Sequence, residues 1–396
     1  MTPADLSRTV LHAVRRAVDE DALRVAVPAR VRVERTRPGG SGDYACAVAL
    51  QLARPAALPA HEVARILKDR IAAEPGIGRV EITGPGFLNL TLDASADGAA
   101  RTALVREVAA RGAAYGHGTA LSGRTPLLPY AAEVRAAVTA DAVAALLRSQ
   151  GAAPRTVPTG PADPAWSGLG VVVGTDSGTG SGPGDGAAGT IRPVPAGMPA
   201  TDLLVRLGPD AARWGLLRAA GHDRAVLDGG LLVQTAANPL FLVRYAHSRA
   251  RAVTRAARAL GLRPTPDAYD DGARDAYDDG ARGGTARRHG AAPGRTVAPH
   301  AAPFGEPAAL ALAALLADHP AVLEAAARHR APDRLARHLE AVAHAFFDFH
   351  DACPPLPAGD EKPSAAHRSR PALAEATGTV LAGGLSLLGI SAPEHL

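Results

Sequence analysis

The segment NPLFLVRYAHSRARAVTRAARALG, residues 238–261, is written as a helix with both ends marked. Asn238 offers a side-chain oxygen to the orphan amides of a first turn, and Pro239 is preset for the first helical position. Gly261 most easily takes the left-handed backbone that stops a helix. Between them Leu242, Ala246, Ala250, Val253, Ala257 and Leu260 fall on one apolar stripe, which needs other apolar surface to cover it. The same 4-3-4-3 spacing recurs at Leu335, Leu339, Val342, Phe346 and Phe349. Upstream, Thr201 is placed to cap a helix that Gly208-Pro209 interrupts and Pro209 restarts. Residues 201–396 are therefore expected to form an all-α helical bundle.

The start of the chain reads differently. VRVER (31–35) and RVEITGPGFLNLTLD (79–93) alternate apolar and polar residues with period two, while Val63, Ile66, Leu67 and Ile71 lie at helical spacing. An α+β N-terminal domain over residues 1–120 is the expectation. Two stretches, about 153–200 and 262–306, are too rich in Gly, Pro and small polar residues to build a core, so they read as low-complexity linker and insertion. The second carries DAYDDGAR twice in succession, at 267–274 and 275–282. Between the domains, LLPYAAEVRAAVTADAVAALLRSQG (127–151) reads as an uninterrupted helix, with Val134, Val138, Ala142 and Leu146 covering apolar surface.

Composition bounds the function classes. No run approaches the roughly 20 apolar residues of a membrane span, and the first residues have no signal-peptide core, so a cytoplasmic location and no membrane partner are expected. Cys46 and Cys353 have no C-x-x-C or His partner and read as small buried side chains. The glycine cluster 174–186 does not have dinucleotide-binding spacing. His338, His344 and His350, six residues apart, point to different faces and read as surface or boundary residues without metal geometry. No metal site and no catalytic residue is assigned.

Charge is more informative. Net charge is +4, and only two of the 43 basic residues are lysine. Genomic base bias is the plainest source of such an arginine excess. Yet segment 239–260 carries Arg244, Arg249, Arg251, Arg255 and Arg258 without one acid, and Arg244, Arg251, Arg255 and Arg258 share a face. Like charges three and four apart repel, so an uncompensated face invites a polyanion such as a nucleic-acid backbone. In GPGFLN (84–89), Phe87 and Asn89 share a strand face, an aromatic for stacking beside an amide for base edges.

GDYACAVALQLARPA (42–56), GPGFLNLTL (84–92), GPDAARWGLL (208–217), NPLFLVRYAHSRAR (238–251) and LSLLGISAPEHL (385–396) together, in this order, resemble arginyl-tRNA synthetases. The resemblance implies an N-terminal additional domain that contacts the tRNA D-loop through Phe87 and Asn89. It also implies a helical anticodon-binding domain, with Asp210 to Arg213 at its Asp-Ala-Leu-Arg signature and Tyr245, Ala246 and His247 at its Tyr-Ala-His segment. Arg213, Arg244, Tyr245, His247, Arg251, Arg255 and Arg258 are its candidate RNA contacts, and tRNA, with the arginine isoacceptors first, is the expected partner.

The family's nucleotide site is not matched. Its His-x-Gly-His positions fall on Tyr130, Ala132 and Glu133, and the residues before Thr201, where a lysine-bearing loop is due, contain no lysine. About fifty low-complexity residues stand where a doubly wound catalytic domain needs on the order of 150. The expectation is a non-catalytic paralogue without cofactor, in which 121–200 is a remnant of the catalytic domain. Two alternatives stand beside it: an arginine–tRNA ligase using arginine, ATP and magnesium, and a protein-interaction module without RNA binding, for which a protein partner is expected.

Overall fold

The computed structural model describes residues 3–36, 41–92, 94–172, 189–265 and 307–396, which divide into two units, Met1–Leu104 and Val105–Leu396. The glycine cluster at 174–186 and the tandem repeat at 267–282 lie outside the described residues.

In the first unit, α1 (Pro3–Asp19), α2 (Val48–Ala56) and α3 (Ala60–Ala72) pack with an antiparallel sheet of β1 (Val33–Arg35), β2 (Tyr44–Cys46), β3 (Ile77–Thr83) and β4 (Phe87–Leu92). The strand order is β1-β2-β4-β3. Val63, Leu67 and Ile71 of α3 meet Leu6, Val10 and Val14 of α1 and Val80, Leu88 and Leu90 of the sheet in one core. The expected periodicities are met because each element buries one face only. The Gly84-Pro85-Gly86 turn joins β3 to β4 with Thr83 opposite Phe87 and Glu81 opposite Asn89. Gly86, at φ 132°, runs so close to the start of α3 that a Cβ there would lie 2.9 Å from the Ala60 carbonyl oxygen. Cys46 is buried in this core, and burial pushes its thiol up to about 11.

The second unit begins within α4 (Ala94–Arg111), and a parallel β-α-β element follows that helix. The segment 127–151 is not one helix: Leu127–Tyr130 is strand β5, and α5 spans Val134–Ser149. β6 (Arg155–Pro158) pairs parallel with β5, Leu127 opposite Arg155 and Tyr130 opposite Pro158. Ile191 extends the pairing, its amide donating to Pro129 O at 2.8 Å while Ala131 N donates to Ile191 O at 3.1 Å. A short apolar run such as Leu127-Leu128 carries no periodicity that separates strand from helix, and only the partner strand decides. The described residues of the region 153–200 hold β6 and a 3-10 turn, Pro164–Leu169, that buries Trp166 against Tyr130. Alanine-rich α5 is buried nearly all round, not along one stripe as expected.

The helical part comprises α6 (Ala200–Arg218), α7 (Pro239–Ala259), α8 (Pro307–His329), α9 (Pro332–Ala352) and α10 (Ala366–Leu387). α7 packs on α10 and α9, α8 on α9 and α5, and α6 on α9 and α5. Gly208, at φ 72°, breaks α6 where Pro209 restarts it, but Thr201 is not its cap, since the helix already begins at Ala200 with Pro199 preceding. α7 obeys its signals: the Asn238 side chain accepts from Leu240 N at 3.1 Å, and Gly261 turns left-handed at φ 73°. Leu260 departs from the stripe and is exposed, because the helix has ended at Ala259. Leu335, Leu339, Val342, Phe346 and Phe349 of α9 are all fully buried. α8 is the one described helix long and apolar enough to cross a membrane.

Candidate functional site

At the head of α5 the free amides and the helix dipole form a place where an anion is welcome. Glu133 fills it. Its carboxylate accepts from Ala136 N at 3.1 Å through Oε2 and from Ala196 N at 2.8 Å through Oε1. Extended Glu133, at φ −147° and ψ 144°, is the N-cap, so the negative charge seated on the dipole is the chain's own. Tyr130 is buried at the end of β5, and burial first, then Asp141, raises the pKa of its phenol. Ala132 faces Gly160, where an added Cβ would come within 3.1 Å of the Ala132 methyl. The acceptor side chain at this helix head is thus Glu133.

Behind the head, Arg135 makes five hydrogen bonds to backbone carbonyls, of Leu216, Val194, Asp223, Ala219 and Ala220, at 2.6–3.0 Å. Several of these are the last carbonyls of α6 and the residues just past it, which have no intrahelical donor. A buried guanidinium with five donors satisfies them together. Desolvation lowers its pKa, only partly opposed by Glu133, Asp223 and Asp333. Sequence reasoning missed Arg135, since an arginine in a helix carries no mark of being buried.

Arg213 is a correction. Expected at an RNA surface, it is 2 % exposed, in an ion pair with Asp141 at 2.7 Å. It also donates to Leu388 O at 2.8 Å and Leu169 O at 2.6 Å. It fastens α6 to α5, to the Trp166 turn and to the end of α10. Gly389 must be glycine for this, because a Cβ there would collide with the guanidinium. His247 is a second correction: it is buried, its Nδ1 donates to Pro393 O at 3.0 Å, and burial lowers its pKa. The two residues serve packing.

The arginine face of α7 is compensated, contrary to expectation, by acids from elsewhere in the chain. Arg244 pairs with Asp210 at 3.2 Å and donates to Ser391 Oγ at 2.8 Å. Arg251 and Arg255 lie 3.8 and 3.6 Å from the Glu394 carboxylate, and Arg258 pairs with Glu375 at 2.8 Å. Ser391 to Glu394 thus lie along this face, with Ser248 Oγ also donating to Glu394 O at 3.1 Å. These pairs are half-exposed, so each holds on the order of 1 kcal/mol or less and an incoming phosphate can exchange for the carboxylate.

Beside this face stands an open aromatic stack. Tyr245, 41 % exposed, lies between Phe241 and Phe347, with ring centroids 5.4 Å apart on both sides and interplanar angles of 9° and 22°. Arg249 follows Phe241 and Tyr245 at helical spacing of four, is exposed, and has no side-chain partner among the described residues. An aromatic edge with a free guanidinium suits unstacked bases of a single-stranded loop. Phe241, Phe347 and Arg249 were not singled out from the sequence; the i, i+4 spacing of Phe241 and Tyr245 was the available signal.

In the first unit Phe87 is 39 % exposed, but Asn89 beside it is 6 % exposed and its amide donates to Thr83 Oγ1 at 2.9 Å. Only Phe87 keeps a free face. The opposite residue on β3, Glu81, is held by Arg79 at 2.5 Å. Among the histidines, His344 is exposed, but His338 is buried and stacks on His319, which stacks on Tyr115, with centroids 5.3 and 5.9 Å apart. No group of three metal-ligating side chains occurs among the described residues.

Two family models match separate parts of the chain. Residues 5–92 match the arginyl tRNA synthetase N terminal domain, and residues 280–396 match the DALR anticodon binding domain. The chain is similar to an arginine–tRNA ligase of Frankia alni, 27% identical over 586 aligned positions spanning all of both chains. A similar ligase of Renibacterium salmoninarum is 43% identical over 165 residues, which is 38% of this chain and 29% of the relative. Among solved structures, Thermus thermophilus arginyl-tRNA synthetase shares the fold with a TM-score of 0.62 at 14% identity, covering all of both chains.

Proposed function

Since the chain carries the N-terminal and anticodon-binding domains of the arginyl-tRNA synthetase family, we propose that it is a cytoplasmic tRNA-binding protein without aminoacylating activity, with arginine tRNA as its partner. In this reading residues 1–120 and 201–396 are the two RNA-contacting modules and 121–200 is what remains of the catalytic domain. The carrying observation is the carboxylate of Glu133 on the head of α5, where a nucleotide phosphate would have to sit. The alignment with the Frankia ligase adds support, since its 586 positions exceed the 396 residues of this chain. So does the absence of any lysine between Lys68 and Lys362.

The contact surface in this reading is Phe241, Tyr245, Phe347 and Arg249 for anticodon bases, Phe87 for a D-loop base, and Arg244, Arg251, Arg255 and Arg258 for phosphates once their carboxylates are displaced. Filter binding of arginine tRNA across a salt series tests it. Log affinity should fall against log salt with a slope of roughly −0.9 or −0.7 per phosphate neutralised. Two unit charges about 4 Å apart attract by about 1 kcal/mol in water, so Glu394→Gln should tighten tRNA binding by up to about fivefold. Salt-independent affinity, or no tRNA binding at all, rejects the proposal.

A second reading, an arginine–tRNA ligase using ATP and magnesium, is favoured by the end-to-end alignment with the Frankia relative. Arginine- and tRNA-dependent ATP–pyrophosphate exchange separates the two, for the first predicts no exchange above background.

A further inference from the structure

At the far end of α5 from Glu133, a cleft of about 380 Å³ opens between the loop before β5 and the end of α8. Its apolar lining includes Leu121, Pro126 and Leu147, and three guanidinium groups, of Arg124, Arg328 and Arg330, stand around it. Arg328 is engaged by Glu324 at 2.7 Å. Arg124 and Arg330 have no ion-pair or side-chain hydrogen-bond partner among the described residues. Partly buried Arg330 has no carboxylate near enough to offset its desolvation, and its pKa is lowered by that desolvation alone.

The backbone supplies a second, independent observation. Arg330 is left-handed at φ 52°. Its amide donates to Ala327 O at 3.2 Å and that of Ala331 to Ala326 O at 3.0 Å, the capping pattern in which glycine normally takes this position. An L side chain there is strained, and strain of this kind is retained where the side chain has a use. A cation near a helix C-terminus has a local electrostatic benefit, but that benefit requires neither the left-handed position nor a second unpaired guanidinium lining the same cleft. Apolar lining with a few converging charged groups is the ordinary make-up of a small-ligand site.

We propose that this cleft binds a phosphate ester, its oxygens between Arg124 and Arg330 and its organic part against Leu121, Pro126 and Leu147. The ester is either a free mononucleotide or a nucleotide of bound RNA; the first does not rest on the tRNA reading above and the second does. The full chain is titrated calorimetrically with AMP and with inorganic phosphate, tRNA affinity is measured by filter binding, and each is repeated with Arg330→Gly and Arg124→Ala. Loss of one charged hydrogen-bonding partner should weaken the bound ligand at least about tenfold. Arg330→Gly should nevertheless melt at a higher temperature than the parent, because glycine relieves the left-handed strain. AMP binding that both variants weaken supports a free mononucleotide. No AMP binding together with tRNA affinity lowered in both variants supports an RNA phosphate. Raised melting of Arg330→Gly with unchanged affinity for AMP, phosphate and tRNA, or no binding of any of the three, overturns the proposal.

Discussion

Arg213→Met tests whether this arginine holds the structure or the RNA. Methionine keeps most of the volume but removes every donor. Three acceptors lose their partner: the carbonyls of Leu388 and Leu169, at 2.8 and 2.6 Å, and the Asp141 carboxylate at 2.7 Å. A buried acceptor left unsatisfied costs about 1–3 kcal/mol. Breaking a buried ion pair by removing one partner costs about 3–5 kcal/mol. Asp141 is 26% exposed and recovers part of this from water, so the lower end applies to it. A loss of at least about 5 kcal/mol is expected, and at about 2 °C per kcal/mol for a unit of this size the melting temperature should fall by about 10 °C. Calorimetry or circular dichroism reads the melting, while filter binding at 20 °C, well below the transition, should give a tRNA affinity within about twofold of the parent. Gly389→Ala should melt in parallel, since its methyl would collide with the same guanidinium. Unchanged melting with tRNA binding lost in Arg213→Met would refute this assignment and restore the residue to the RNA surface.

Burial holds His319 down to about 3 and His338 down to about 4, against about 6.5 in the unfolded chain. Both are neutral in the fold, so no penalty exists above pH 6.5. As pH falls below 6.5 the unfolded chain binds two protons that the fold refuses, and stability drops by about 1.4 kcal/mol per pH unit for each until the folded values are reached. Urea midpoints measured from pH 7 to pH 4 should show this loss, and His338→Leu should remove about half of it; an identical profile in the variant would contradict the linkage. Glu133→Ala removes the N-cap of α5 and the bond to Ala196, for an expected loss of about 1 kcal/mol. The variant should still show no melting shift with ATP and magnesium, and a clear shift would mean that a nucleotide cleft survives.

Local chemistry was legible in the sequence wherever one segment carries both signal and consequence. The Asn238-Pro239 start and Gly261 stop of α7, the break at Gly208-Pro209, the turn at Gly84 to Gly86 and the fully buried stripe of α9 need only the backbone preferences of single residues and a 3.6 or 2.0 period. The five segments that resemble arginyl-tRNA synthetases were equally a matter of residues in order. Leu127 to Tyr130 failed as a local reading because a parallel strand is defined by its distant partner, Arg155 to Pro158.

What only the tertiary structure decided was burial and charge compensation. Arg213 and Arg244 are both arginines on helices, yet one is locked in the interior by Asp141 and the other lies near the surface against Asp210. The acid-free sequence of α7 hides the fact that Glu375 and Glu394, more than a hundred residues on, lie against its arginines. Coulomb and desolvation energies depend on distance in space and on access of water, neither of which is a property of neighbours along the chain. The order of residues therefore specified the helices and the hairpin, and the folded chain alone determined which arginines remain near solvent.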